Sequence, residues 1–329
     1  MLEIQVCEET MAEPPRPTDN AFAGKTVLGG ASEPTYGGAL SFARRRYTRE
    51  LKGADVVVWG VPFDAATSNR PGARFGPQAI RRASAMLEGD PQYPYRFDPF
   101  EQLAVIDWGD CGLDYGRPEG AAKAIESQAA QILAAGPLLL TLGGDHFVTY
   151  PLLQAHAKKY GALALVQFDA HQDTWNPQAG RTDHGSFVAR AAIEGLIDPK
   201  RSIQIAIRSH APADHGLEIV WGHEIETLGV AGVTERVLRR AGQGRVYLSF
   251  DIDALDPAFA PATGTPVAGG LSTREALMIL RALSPLDLIG MDVMEVSPPY
   301  DHADVTALAG ATVAMHMIGL IAEKRRKKI

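Results

Sequence analysis

The sequence predicts a three-layer α/β/α fold built on a mostly parallel eight-stranded sheet. Two observations carry this expectation: eight short, nearly continuous apolar runs, and amphipathic helical stretches between several of them. A strand covered on both faces needs apolar residues at every position. Strands alternating with helices pair in parallel, because each crossover helix returns the chain to the same end of the sheet.

The first run is ADVVVWGVPFD (54–64), ended by Gly and Pro. Further strands are expected at 103–109, 137–144, 162–170, 202–209, 218–222, 246–253 and 288–296. Helical periodicity appears at 76–89, 119–136, 150–161, 230–242 and 272–283, and again at 306–328, which closes the chain. Residues 1–50, with PPRPTDN and GGASEPTYGG, are rich in Pro and Gly without steady periodicity and are expected to form an extended N-terminal arm. Residues 51–329 are then a single α/β catalytic domain.

Composition narrows the function. With 32 basic against 39 acidic residues, the net charge of −7 leaves no basic field for a nucleic acid backbone and mildly favours a cationic small molecule. Cys7 and Cys111 are the two cysteines and form no Cys-x-x-Cys pair, which excludes a disulfide framework and a thiolate zinc site. The N-terminus has no basic segment followed by an apolar one, and no run of 18 apolar residues occurs, so a cytoplasmic protein without a membrane partner is expected. Gly24-Lys25-Thr26 resembles the end of a phosphate-binding loop, but Asp19 stands where the required glycine belongs. His223-Glu224 begins like a zinc-protease helix, but Thr227 replaces the second histidine. The EKRRKK tail (323–328) reads as a solvated helix end whose charge suits the dipole.

The chemistry sits at three strand ends. Asp145-His146 follows the third run, Asp169-Ala170-His171-Gln172-Asp173 the fourth, and Asp251-Ile252-Asp253 the seventh. The carboxyl ends of parallel strands open on one edge of the sheet, so the three clusters converge. Alternate spacing sends Asp169, His171 and Asp173 to one side, with Ala170 and Gln172 pointing away, and aligns Asp251 with Asp253. Two glycines before His146 let the chain turn sharply. An acidic solvated loop is the bland alternative for each cluster taken singly. Together, four Asp and two His without a cation would suffer repulsion and desolvation, which a metal removes. Oxygen-rich donors without sulfur suit two hard dications such as Mn²⁺ better than Zn²⁺, and such a pair can acidify a bridging water toward neutral pH.

GGDH (143–146), FDAHQDTW (168–175), SFDIDALDPAFAPATGTPVAGGL (249–271) and EVSPPYDHADVTALAGAT (295–312) resemble, in order, the signature blocks of the arginase/agmatinase (ureohydrolase) family. GVPFDAATSNRPGARFGPQAIR (60–81) is similar to that family's loop near the pocket. The resemblance runs from about Asp55 through the last helix. It implies an arginase-like fold and a two-manganese cluster held by His146, Asp169, His171, Asp173, Asp251 and Asp253, with Asp169 and Asp251 bridging. It also implies that His184 is the proton-transfer histidine and that Glu295 grips the guanidinium.

The implied activity is hydrolysis of a guanidinium group to urea and an amine, by attack of a metal-bridging hydroxide. The pattern is nearest to bacterial agmatinases, which act on agmatine and release putrescine for polyamine biosynthesis. Guanidinobutyrate, guanidinopropionate and arginine are alternatives that differ only beyond the guanidinium, and a non-catalytic member would be expected to have lost a ligand. HGSF (184–187) stands where HGTM is usual, and Arg181 could attract a carboxylate tail or pair with Asp183. A homo-oligomer, trimer or hexamer, is the assembly the family implies.

Overall fold

A computed structural model describes residues 35–87, 91–177 and 181–327. Nine strands form one fully parallel sheet: β1 (Arg46–Tyr47), β2 (Val56–Gly60), β3 (Val105–Asp110), β4 (Leu138–Leu142), β5 (Ala164–Phe168), β6 (Ile203–Ile207), β7 (Glu218–Trp221), β8 (Arg245–Asp251) and β9 (Asp287–Met294). Their spatial order is β1-β3-β2-β4-β9-β8-β5-β6-β7. All eight expected runs are strands. The ninth, β1, is two residues long and pairs with β3 at the edge, too short and too polar to be read from periodicity. It lies in the N-terminal segment 1–50, of which residues 1–34 fall outside the described residues. Just before it, Phe42, Ala43 and Arg44 are buried, and Phe42 N–H donates to Asp107 Oδ2 at 2.8 Å.

The apolar runs are continuous because both faces of the sheet are covered. Val56 and Val58 enter one core with Leu140, Val166, Leu248 and Val293, beneath helices Gly76–Ser84, Ile225–Ala241, Thr273–Ala282 and Val305–Arg326. Val57 and Trp59 enter the other with Leu139, Leu165 and Tyr247, beneath helices Ala121–Ala134, Thr149–Tyr160 and Phe187–Ile193. Burying each of these side chains contributes about 1.5–3 kcal/mol. The helix at Thr273 starts with a capping box: Ser272 Oγ accepts from Glu275 N–H and Glu275 Oε2 accepts from Ser272 N–H.

Two short helices, Pro99–Gln102 and Phe187–Ile193, carry too little periodicity to stand out in the sequence. Helix Ile225–Ala241 starts earlier than expected, across a break at Gly229 (φ 60°) that only glycine adopts at little cost. The last helix is long and apolar enough to cross a membrane by length and composition alone, but it is mostly buried, packed against helix Gly76–Ser84 and β9 as a core element.

The connection order places the site. The chain steps outward from β2 to β3, returns to β4, then jumps to β5 and moves away to β6 and β7. The gap left between β4 and β5 is filled afterwards by β8 and β9. The carboxyl ends of β4, β9, β8 and β5 therefore lie side by side where the winding reverses, the position at which open α/β sheets bind ligands.

Candidate active site

His146 follows β4 at the start of a 3-10 turn. Its Nδ1 lies 3.0 Å from Asp169 Oδ2, 3.0 Å from Asp251 Oδ2 and 3.3 Å from Asp173 Oδ2. His171 Nδ1 lies 3.0 Å from Asp253 Oδ2 and 3.5 Å from Asp169 Oδ1. The donors form two triads, His146/Asp169/Asp251 and Asp169/His171/Asp253, each compact enough to hold one metal ion. Asp169 offers one oxygen to each triad. Asp251 offers its Oδ2 to the first, while its Oδ1 accepts from Asp253 N–H at 2.8 Å.

Backbone N–H groups aim these carboxylates. Asp169 Oδ1 accepts from His171 N–H at 2.6 Å, and Asp253 Oδ1 accepts from Ala170 N–H at 3.0 Å. In Asp251 and Asp253 the donation fixes Oδ1 and leaves Oδ2 toward the cluster, whereas Asp169 Oδ1 takes its N–H donation and still faces the second triad. β5 ends at Phe168, so the convergence of Asp169, His171 and Asp173 comes from a folded loop rather than from strand alternation. Asp173 takes a φ of 51° there, and Glu295 a φ of 64°, strained conformations for L residues that are tolerated where function needs a side chain re-aimed.

The glycines before His146 act differently from the expected sharp turn. A Cβ on Gly144 would stand 1.6 Å from Phe63 O, and one on Gly143 would stand 1.7 Å from Met294 Sδ. They permit close backbone approach, and neither has positive φ.

Among these donors the charges are badly matched. Burial and then the charge of Asp169 push Asp173 up to about 7, and burial with Asp253 and Asp169 raises Asp251 well above the usual carboxylate range. Burial works against the His171 cation, but Asp253 and Asp169 outweigh it and push the ring up to about 12. His146 is likewise raised well above its ordinary value despite burial, through Asp169, Asp173 and Asp251. Burial opposes the charge on Asp169, yet His146 and His171 hold its carboxyl well below the usual range. Such a cluster gathers positive charge from any source. His146 Nδ1 and Asp253 Oδ2 are buried without a hydrogen-bond partner although oppositely charged groups stand beside them. Orphaned donors of this kind, hard and oxygen-rich, suit divalent cations.

Glu295 follows β9 and is buried. Its Oε1 accepts from His146 N–H at 3.0 Å and from His184 Nδ1 at 2.9 Å, while its Oε2 is buried without a partner. His184 Nε2 lies 2.9 Å from Ser68 N–H and 2.7 Å from Ser68 Oγ. The Ser68 amide can only donate, so Nε2 carries a lone pair and the proton sits on Nδ1, facing Glu295. Burial opposes the ring's charge, but Glu295 pulls its pKa up to about 9. Nδ1 thus keeps its proton toward Glu295, and taking a second proton on Nε2 requires the Ser68 N–H contact to open.

A cavity of about 320 Å³ opens over the cluster, lined by His146, His171, Asp173, Asp251 and His184 together with Ser68, Trp175, Asp183, Gly185 and Thr265. All eight residues singled out in the sequence therefore gather at one sheet edge. Gly24-Lys25-Thr26 lies outside the described residues. His223-Glu224 forms a separate turn in which Glu224 pairs with Arg236 at 3.3 Å. Arg181 lines an adjoining larger groove rather than this cavity.

Sequence reading missed the supporting residues. Ser68 could not be singled out within the 60–81 loop. Gln167, whose Nε2 donates to Asp169 Oδ2 at 2.6 Å, and Ser249 and Asp292 beneath His146 were hidden inside apolar strands. Their signal is a polar residue at a strand position covered on both faces, where burial without a partner is costly.

Fold and site together are those of a metal-dependent hydrolase built on a parallel, three-layer α/β/α sheet fold. The model of the Arginase family matches residues 54–319, and the chain belongs to that family. It is 48% identical over 309 residues to an agmatinase of Chromobacterium violaceum, covering 93% of this chain and 96% of the other. Among solved structures it is similar to a hypothetical agmatinase from Burkholderia thailandensis, with TM-score 0.93, 48% identity, and coverage of 94% of this chain and 98% of that one. It is also similar to proclavaminate amidino hydrolase from Streptomyces clavuligerus, with TM-score 0.85, 40% identity and coverage of 89% and 100%.

Proposed function

We propose that the protein hydrolyses agmatine to putrescine and urea, with two Mn²⁺ ions per chain held by His146, Asp169, His171, Asp173, Asp251 and Asp253. The observation that carries the substrate is the charge of the cavity lining. It contains Asp173, Asp183 and Asp251 and, among the described residues, no Lys or Arg. A substrate with a guanidinium at one end and an ammonium at the other suits such a lining, whereas a carboxylate tail finds no Lys or Arg among the described lining residues to pair with. The similarity to agmatinases over most of the chain supports the same reading.

When bound, the paired ions supply Lewis acidity and lower the pKa of water so that it attacks at neutral pH. The protein does the rest. Glu295 Oε2 accepts from the guanidinium and orients it over the cluster. His184 delivers a proton to the departing amine, which is a poor leaving group unless protonated. Trp175 and Thr265 at the cavity wall limit water access around the tail. The reading extends to a cytoplasmic homo-oligomer, trimer or hexamer, engaged in polyamine biosynthesis; static light scattering that finds a monomer rejects the assembly.

Arg181 in the adjoining groove supports a second reading, a guanidino acid such as guanidinobutyrate. Urea release from agmatine, arginine, guanidinobutyrate and guanidinopropionate after Mn²⁺ loading separates the two. Agmatine is expected to give the highest kcat/KM. A preference for a guanidino acid rejects the first reading, and silence on all four indicates a non-catalytic member.

A further inference from the structure

Beneath His146, among buried side chains of β8, β9 and the helix that starts at Thr149, lies a hydrogen-bonded chain that none of the proposed chemistry uses. His146 Nε2 is 2.8 Å from Ser249 Oγ, and Ser249 Oγ donates to Asp292 Oδ1 at 2.7 Å. Asp292 is buried in β9, and its other oxygen, Oδ2, accepts from Thr149 Oγ1 at 2.9 Å and from Tyr247 OH at 2.8 Å. Three hydroxyls thus converge on one carboxylate. A hydroxyl has a single proton, and Ser249 gives its own to Asp292, so only its lone pairs remain to face the imidazole. Nε2 must then be the protonated nitrogen. Nδ1 is then the nitrogen that faces Asp169, Asp173 and Asp251, and its lone pair points among them once an arriving cation displaces the proton they hold there.

We infer that Ser249 and Asp292 are positioning residues that fix the tautomer and orientation of His146 for one of the two metal sites, the one formed with Asp169 and Asp251. This rests on the metal reading above. The opposite tautomer would place a proton on Nδ1, in the position a cation needs. A ligand histidine commonly gives its second N–H to a carboxylate. Here a serine of β8 is interposed between the ring and the carboxylate of β9. His171 and Asp253, the donors that belong to the second site alone, are not partners in this chain of bonds, so the affinity of that site provides an internal control.

Competition titration of metal-depleted protein with Mn²⁺ and a fluorescent chelator reads both dissociation constants. Ser249→Ala removes the acceptor of the Nε2 proton while making the buried side chain smaller. It is expected to weaken one of the two Mn²⁺ affinities by about 10–100-fold and to leave the other unchanged. Asp292→Asn, which can reverse the direction of the relay, is expected to weaken the same step. Circular dichroism of the metal-free variants checks that the fold is intact. Two wild-type affinities in Ser249→Ala, or equal weakening of both sites, overturns the inference. Uptake of fewer than two ions by the wild-type protein overturns the metal reading itself, and the relay falls with it.

Discussion

Replacing Glu295 by Gln tests the proposed chemistry at its most exposed point. The substitution keeps shape and removes one charge. Glu295 Oε1 already serves His146 N–H and His184 Nδ1, contacts an amide oxygen can also accept. The amide nitrogen must then occupy the place of Oε2, which is buried and has no hydrogen-bond partner. It would present N–H to a guanidinium that also has only N–H to offer. Breaking one partner of a buried ion pair costs about 3–5 kcal/mol, which is roughly two to nearly four decades in kcat/KM. Metal content should be unchanged, because Glu295 belongs to neither triad. The His184 pKa should fall from about 9 toward its ordinary value of 6.5, since Glu295 is what raises it against burial. Urea-release kinetics, metal analysis and an NMR titration of the ring read these three outcomes. A fully metallated Glu295→Gln enzyme that loses less than about tenfold in kcat/KM would refute the assignment of Glu295 to the guanidinium.

Three further predictions follow from the same geometry. His184→Ala should keep both metals and slow turnover about 10²–10⁴-fold, the usual range for losing a general acid; loss of metal in this variant would show that the histidine is structural. Metal-free protein should lose stability as pH rises: Asp173, raised to about 7 chiefly by burial and Asp169, contributes stability fully present below the unfolded value of 3.8 and lost as pH rises through about 7. Bound cations keep that carboxylate ionised and must displace protons from His146 and His171, so both Mn²⁺ affinity and the melting-temperature gap between loaded and metal-free protein should widen from pH 5 to pH 8, and a constant gap would contradict this. Gly144→Ala forces a Cβ against the Phe63 carbonyl and should destabilise by about 1–3 kcal/mol or more in urea unfolding, with unchanged stability arguing against the close approach.

Much of this protein is legible locally. Continuous runs such as VVVWG and ALVQF reveal strands covered on both faces, because alternate side chains enter opposite cores and all must be apolar. Asp169-x-His171-x-Asp173 and Asp251-x-Asp253 declare themselves because so many charges directly after apolar runs are costly without a cation. What a local pattern carries weakly stays hidden: β1 has two residues, and Ser249 and Asp292 are single polar residues in apolar strands, recognisable only once His146 is seen above them.

The amino-acid sequence by itself determined the class of fold, the eight main strands and which Asp and His residues cluster after them, since these depend on period, composition and spacing along one chain. Tertiary structure alone decided that β4, β9, β8 and β5 are neighbours, and so that His146, Glu295, Asp251 and Asp169 meet. It also decided that Asp169 faces both triads, that Ser68 fixes the proton on His184, and that no Lys or Arg among the described residues lines the cavity. Strand order, tautomer and cavity charge arise from contacts between residues tens to more than a hundred positions apart, and no periodicity along the chain encodes them.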